Sequence, residues 1–487
     1  MTSSSPATTG SPPTATAAVI AVILVASFMD LVDVTIVAVA APSVQASLGA
    51  TPAQVQWVVA AYALALGAAL VTGGRLGDAY GRRRAFLVGL TVFVVASAAC
   101  ALAPTAELLI ATRVLQGLAA GTMVPQVFGI IRSSLDPRQR GAALGAYGGV
   151  QGLASIAGPL LGGLLVTADL FGLGWRTVFW VNVPIGLVAL LLARRVLPES
   201  RQPGAARLDL TGAALLSGSL VLVLLPVVQG RSWGWPAWGW VVLLSGVVGL
   251  ATFVAFEARL VARGGQPVLD PHLLTRAFTG GLGASAAFFG GIASFFLLLS
   301  IYLQEGTGRT ALATGLVTLP YALGSLVTSG LGVTLAARHG RRLLIAGSLL
   351  VAASHAGMWW VVTHADRPTW WQVGGPLLLG GLGLGLAAPP LVGVVLAAVP
   401  GRAAGAAGGV LSTVNQVAGA VGVAVLGALF FARVEEPVGA AGQPGPAFTD
   451  AFAAVLPWQV GLYVVAAALM TLLPAGSEAA EPPVSPP

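Results

Sequence analysis

Along this chain, apolar runs of about twenty residues alternate with short segments that hold nearly all the charge. A membrane-crossing helix needs roughly 20 apolar residues. By that measure the runs predict six helices near 18 to 41, 52 to 73, 84 to 103, 107 to 131, 140 to 168 and 177 to 194. Two more follow near 209 to 228 and 238 to 257, and a last six near 277 to 303, 311 to 336, 342 to 363, 372 to 399, 403 to 432 and 452 to 473. The pattern therefore predicts an all-α polytopic protein with fourteen transmembrane helices.

The arginines test that count. With the N-terminus inside, Arg75, Arg82 to Arg84, Arg132, Arg138, Arg140, Arg194, Arg195, Arg201, Arg207, Arg259, Arg263, Arg276, Arg338, Arg341, Arg342 and Arg402 fall on the cytoplasmic side. Only Arg176, Arg231, Arg309, Arg367 and Arg433 fall outside, an asymmetry that sets orientation. The tryptophans, among them Trp57, Trp175, Trp238, Trp359 and Trp458, cluster at the outer interface in the same register. The expectation is a multi-pass protein of the cytoplasmic membrane with both termini inside.

Composition narrows the class further. Of 487 residues 56% are hydrophobic and 8% charged, too few charges for a soluble surface. The net charge of +7 sits in cytoplasmic-type loops, so it implies orientation and contact with anionic membrane lipid, with no nucleic-acid partner. Cys100 is a single cysteine and the four histidines are scattered, so no disulfide or metal site is expected. Residues 1–17 and 476–487 read as polar, disordered tails. Between them lie a bundle over 18–200, two further helices with linkers over 201–264, and a second bundle over 265–475.

The charged loop from Gly73 to Arg84 carries four arginines and Asp78 between two apolar helices. Gly74, Gly77 and Gly81 would allow a tight turn with positive φ and close backbone approach. Topology alone would explain Arg82, Arg83 and Arg84. Asp78 framed by Gly74 and Gly81 asks for more, and Gly74, Leu76, Gly77, Asp78, Gly81, Arg82 and Arg83 resemble the signature loop of the major facilitator superfamily, with Ala79 where the family usually has Arg. Gly340-Arg341-Arg342, after the tenth helix, echoes Gly81-Arg82-Arg83. The resemblance implies two related six-helix bundles around a midplane substrate site. The loop would then be a cytoplasmic gate, and the two extra helices are expected to be a lipid-facing spacer.

Asp30 and Asp33 lie at mid-depth of the first helix, where each carboxyl costs on the order of 2.5 to 3.5 kcal/mol and usually faces a cavity or a partner. Three residues apart, they share a helical face. They read either as a proton-exchanging pair or as a structural pair bonded to backbone or to an arginine. The segment from Leu31 to Pro42 resembles the first-helix motif of fourteen-helix drug:proton antiporters, with Asp33 at the acidic position, Ala38 replacing Asn and Asp30 additional. Arg113 and Gln116 in the fourth helix resemble the superfamily's Arg-x2-Gln-Gly motif, associated with proton transfer; a snorkelling arginine is the alternative. Gly145, Gly158, Pro159, Gly162 and Gly163 match the fifth-helix antiporter motif, which favours export over uptake.

Gln56 and Tyr62 in the second helix, Asn182 entering the sixth and Asn415 in the thirteenth fall in further antiporter-like segments. With Gln116 and Gln151 they are the expected polar contacts of the substrate cavity. Glu305 is expected to be exposed at an outer helix end. The resemblance implies a proton-coupled exporter of drugs or small lipophilic compounds, acting as a monomer without cofactors, with protons as the coupling ion. Acidic residues in the cavity would favour cations. A proton-coupled symporter or facilitator for uptake is the alternative. No phosphate loop, nucleophile motif or metal motif supports an ATP-driven pump or an enzyme.

Overall fold

The computed structural model describes residues 13–201, 209–230, 233–265, 275–365, 368–397, 399, 404–434 and 444–474. Of the two expected tails, 1–12 and 476–487 lie outside the described residues, and 13–17 open the first helix. Among the described residues the regular structure is helical throughout. The N-terminal elements are α1 (Pro13–Leu48), α2 (Pro52–Tyr80), α3 (Arg82–Ala101), α4 (Ala106–Ser134), α5 (Pro137–Ala168), α6 (Thr177–Trp180) and α7 (Asn182–Val196). Next come α8 (Leu210–Gln229) and α9 (Ala237–Ala262). The rest are α10 (Arg276–Ile301), α11 (Ala311–Val317), α12 (Leu319–His339), α13 (Arg341–His364), α14 (Trp370–Ala397), α15 (Ala404–Val434) and α16 (Pro444–Met470).

Thirteen spans are long and apolar enough to cross a membrane among the described residues. The 32-residue α5, of which Ile156–Ala168 is the described apolar part, brings the count to fourteen. Two spans are broken helices. Pro184 has no N–H for the carbonyl four residues back, so α6 and α7 part at Val181 inside the span Gly174–Val196. Pro320 likewise starts α12 after Thr318 closes α11. Helix starts are set locally, as where Thr51 and Gln54 form a reciprocal capping box at α2.

The two halves repeat one packing scheme. In the first, α1 packs on α5, α2 and α3 on α4, and α3 on α7; in the second, α10 packs on α15, α12 and α13 on α14, and α13 on α16. Matching turns join the second and third helix of each half, through Gly81 (φ +113°) and Gly340 (φ +48°), conformations that L side chains resist. Each turn is tied to the end of its half's last helix: Arg82 N donates to Ser200 O at 3.0 Å, and Arg341 Nη1 to Thr471 O at 2.9 Å.

Two expectations change. The charged segment is not a three-glycine hairpin, because α2 continues to Tyr80 and only Gly81 turns the chain. Gly74 and Gly77 are helical, and Gly77 instead makes room for the side chain of Gln126 on α4. Nor is the α8–α9 pair merely a spacer. α9 is largely exposed on its outer faces, while α8 packs on both α2 and α15 across the seam between the halves. Of the arginine-rich segments expected to link this pair to the halves, Arg194 to Arg207 and Arg259 to Arg276, residues 202–207 and 266–274 lie outside the described residues.

Candidate functional site

The halves meet along α2–α15, α1–α10 and α5 against α11 and α12. Their closest approaches lie at the end opposite the arginine-rich turns. Gly163 faces the backbone of Ala311 and Leu312, and Gly315 faces the carbonyl of Pro159. Gln304 donates to Val39 O at 2.9 Å, and Leu312 N to Thr167 Oγ1 at 3.2 Å. Inward of this seal lies a central cavity of about 190 Å³. Its wall includes Thr35, Tyr62, Arg113 and Pro159 from the first half and Phe289, Phe296, Tyr321 and Asn415 from the second.

Behind the first half's wall sits a buried cluster built from five helices. Asp33, fully buried on α1, pairs with Arg113 Nη1 from α4. The other oxygen of Asp33 accepts from Gln116 Nε2 and from Asn182 Nδ2 on α7, each at 2.9 Å. Gln116 also donates to Ser97 Oγ on α3 at 2.8 Å, and its own oxygen accepts from Arg113 at 2.7 Å. Arg113 Nε donates to Val58 O on α2 at 3.0 Å, and its guanidinium lies 4.1 Å from the centre of the Tyr62 ring. Tyr62 in turn donates its hydroxyl to Asp30. A charge this deep is tolerable only when paired and hydrogen-bonded, and Asp33 and Arg113 meet that condition.

The sequence-predicted residues thus fall into three places. Tyr62 and Asn415 line the cavity. Gln116 and Asn182 do not; they lie behind Arg113 and hold Asp33. Gln56 is also displaced, its side chain pressed against Gly427 in the α2–α15 seam, because α2 turns that face toward the second half. Gln151 and Gly145 lie on α5, but their surroundings are outside the described residues. Asp30 and Asp33, expected to act on the cavity, stand behind Tyr62 and Arg113 rather than on its wall. Glu305 is exposed at a helix end.

Of the fifth-helix motif, Gly158 packs against Thr35 and Gly162 against Ile36, both on α1. At the arginine-rich end, Asp78 accepts from Arg82 Nη2 at 2.7 Å across the Gly81 turn. Arg83 Nη2 donates to Arg194 O at 2.6 Å, and Arg84 lies 3.8 Å from Glu199. The gate residues are thereby tied to the end of α7.

Sequence reasoning passed over Ser97, Thr112 and the Val58 carbonyl, since hydroxyls and carbonyls recur in every helix. It also passed over the second half's own polar core, where His355 lies between Phe295 and Tyr463 at 4.3 and 4.9 Å. Among the described residues, that core holds no buried carboxylate or arginine, and the buried ion pair at the cavity belongs to the first half.

Two equivalent six-helix halves around a central cavity, with an ion pair buried at its wall, define a polytopic membrane transporter of alternating-access architecture. The chain belongs to the Major Facilitator Superfamily, whose family model matches residues 23–423. It is 41% identical over 422 residues to the probable actinorhodin transporter of Streptomyces coelicolor, covering 85% of this chain and 72% of that protein. It is 35% identical over 438 residues to the tetracenomycin C resistance and export protein of Streptomyces glaucescens, covering 87% and 76%. Among solved structures, a bacterial homolog of the human lysosomal transporter Spinster, in an inward-facing and occupied conformation, superposes with a TM-score of 0.67 at 16% identity. That match covers 95% of this chain and 97% of the other, and speaks to the fold.

Proposed function

We propose that this chain exports drugs or small lipophilic compounds across the cytoplasmic membrane in exchange for protons, as a monomer with both termini in the cytoplasm. One observation carries the reading. The two first-half cavity-wall residues able to donate strong hydrogen bonds, Arg113 and Tyr62, are each held by a buried carboxylate, Asp33 and Asp30. A proton arriving on Asp33 removes the charge that fixes Arg113, and one on Asp30 removes the acceptor of Tyr62. Proton occupancy thereby reshapes the wall that meets the substrate, and a ligand with unequal affinity for two conformations shifts their populations. Export rather than uptake is supported by the fifth-helix glycines and by relatives named for export and resistance.

The inter-half seal at the end opposite the arginines, with the charged turn bonded within its own half, corresponds to a state open toward the cytoplasm. Asp78 and Arg82 to Arg84 latch the other state. Efflux from cells and from proteoliposomes under an imposed proton gradient tests the cycle. Asp33→Asn is expected to abolish gradient-driven efflux, by more than about a hundredfold, while still inserting; Asp30→Asn is expected to slow it about tenfold, on the scale of one strong hydrogen bond. Parent-like coupled efflux in Asp33→Asn would defeat the mechanism.

A further inference from the structure

The cavity wall says what kind of molecule it takes, and this inference rests on the export reading above. From α10 to α16 the described residues include two acidic side chains, Glu305 and Asp450, both exposed. In the first half Asp30 and Asp33 stand behind the wall, engaged by Tyr62, Arg113, Gln116 and Asn182. No acidic side chain is therefore on the wall among the described residues. Its one charged group, Arg113, is already neutralised by Asp33 and bonded to Val58 O.

A cation would meet no counter-charge here and would lie against a guanidinium. An anion could be paired only by drawing Arg113 from Asp33, which favours protonated Asp33 and so couples substrate to proton in the same direction, the reverse of exchange.

What remains on the wall is aromatic and neutral. Phe289, Phe296 and Tyr321 of the second half face Tyr62 of the first. Asn415 Oδ1 and Thr314 Oγ1, both on the cavity lining, are buried and lack a hydrogen-bond partner. An amide oxygen only accepts, so it calls for a donor on the ligand, and leaving it unmatched is costly. We infer that the transported compound is an uncharged aromatic or polycyclic molecule bearing hydroxyl groups, held between these rings with a hydroxyl donated to Asn415.

The test uses the full chain in proteoliposomes with a trapped pH-sensitive dye, reading proton movement driven by three probes. These are 2-(hydroxymethyl)anthraquinone, which is neutral and whose hydroxyl is free to donate, anthraquinone-2-sulfonate, which is anionic, and ethidium, which is cationic. The neutral probe is expected to drive proton movement at least tenfold faster than either charged one. Asn415→Leu is expected to raise its half-saturating concentration about tenfold, the loss of one well-placed hydrogen bond. Thr314→Val, which keeps the shape of the side chain, supplies a second variant, with a rise of about threefold.

Proton movement driven by ethidium and not by the neutral probe would overturn the inferred class while leaving export intact. Movement driven by none of the three, from protein that keeps its melting temperature, would also overturn the class; the efflux comparison of parent with Asp33→Asn then decides the export reading separately. An unchanged half-saturating concentration in both variants would overturn the role given to Asn415 and Thr314.

Discussion

At the residue scale, the informative fact is that one carboxylate gathers donors from two other helices. Asp33 on α1 accepts from Arg113 and Gln116 on α4 and Asn182 on α7, while Ser97 on α3 accepts from Gln116. Each of the first four stands out in the sequence as an unusual polar residue in an apolar run. Their convergence does not, because sequence gives depth in the membrane and not the direction a side chain takes around its helix. This is why Gln116 and Asn182 read as cavity contacts although they point behind the wall. Asn182→Leu deletes one donor to a fully buried carboxylate, so it should lower stability by about 1–3 kcal/mol without adding charge. Thermal unfolding in detergent should show the loss, with Ser97→Ala milder because Gln116 retains its other partners. An unchanged melting temperature for Asn182→Leu would mean that Asp33 does not depend on that bond.

At the element scale, glycine decides how closely helices approach. A side chain at Gly158 would run into the hydroxyl of Thr35 on α1, and one at Gly162 into Ile36. Gly149, on the same helix, has open space around it. Gly158→Val should therefore force α1 from α5, costing about 1–3 kcal/mol as overpacking does, and displace the helix that carries Asp33. Gly149→Ala should be tolerated in both unfolding and efflux, and equal effects of the two would refute the packing argument. The glycine pattern was readable beforehand, as were the element count and the turn at Gly81. The role of α8 was not. Its apolar sequence fits lipid and protein equally well, and only the packing places it against α2 and α15. There Arg75 of α2 interacts electrostatically with Asp209, at the start of α8, and with Glu257 of α9. Arg75→Gln should accordingly lower the melting temperature more than Arg259→Gln, in the last turn of α9.

At the scale of the whole molecule, the two halves share a packing scheme but divide the work. The first carries the buried charges, and the second supplies an aromatic, neutral wall. Alternating access requires the seal between them to open once per cycle. In this structure that seal lies where Gly163 and Thr167 of α5 meet Ala311 and Leu312 of α11. The Leu312 amide is 3.2 Å from the Thr167 hydroxyl, close enough for paired cysteines at these two positions to be tested as a bridge. With Cys100, the chain's single cysteine, replaced by Ala, a Thr167→Cys and Leu312→Cys double variant should crosslink under mild oxidation. A covalent tie across the seal holds the molecule in the state described here. Efflux should then fall to the level of empty vesicles and return when a reductant is added, while either single variant should be indifferent to oxidant. Binding of the neutral probe from the arginine-rich side should survive the crosslink, since the cavity lies inward of it. Undiminished transport by fully crosslinked protein would mean that this seal does not open during the cycle, and that the halves move about some other contact.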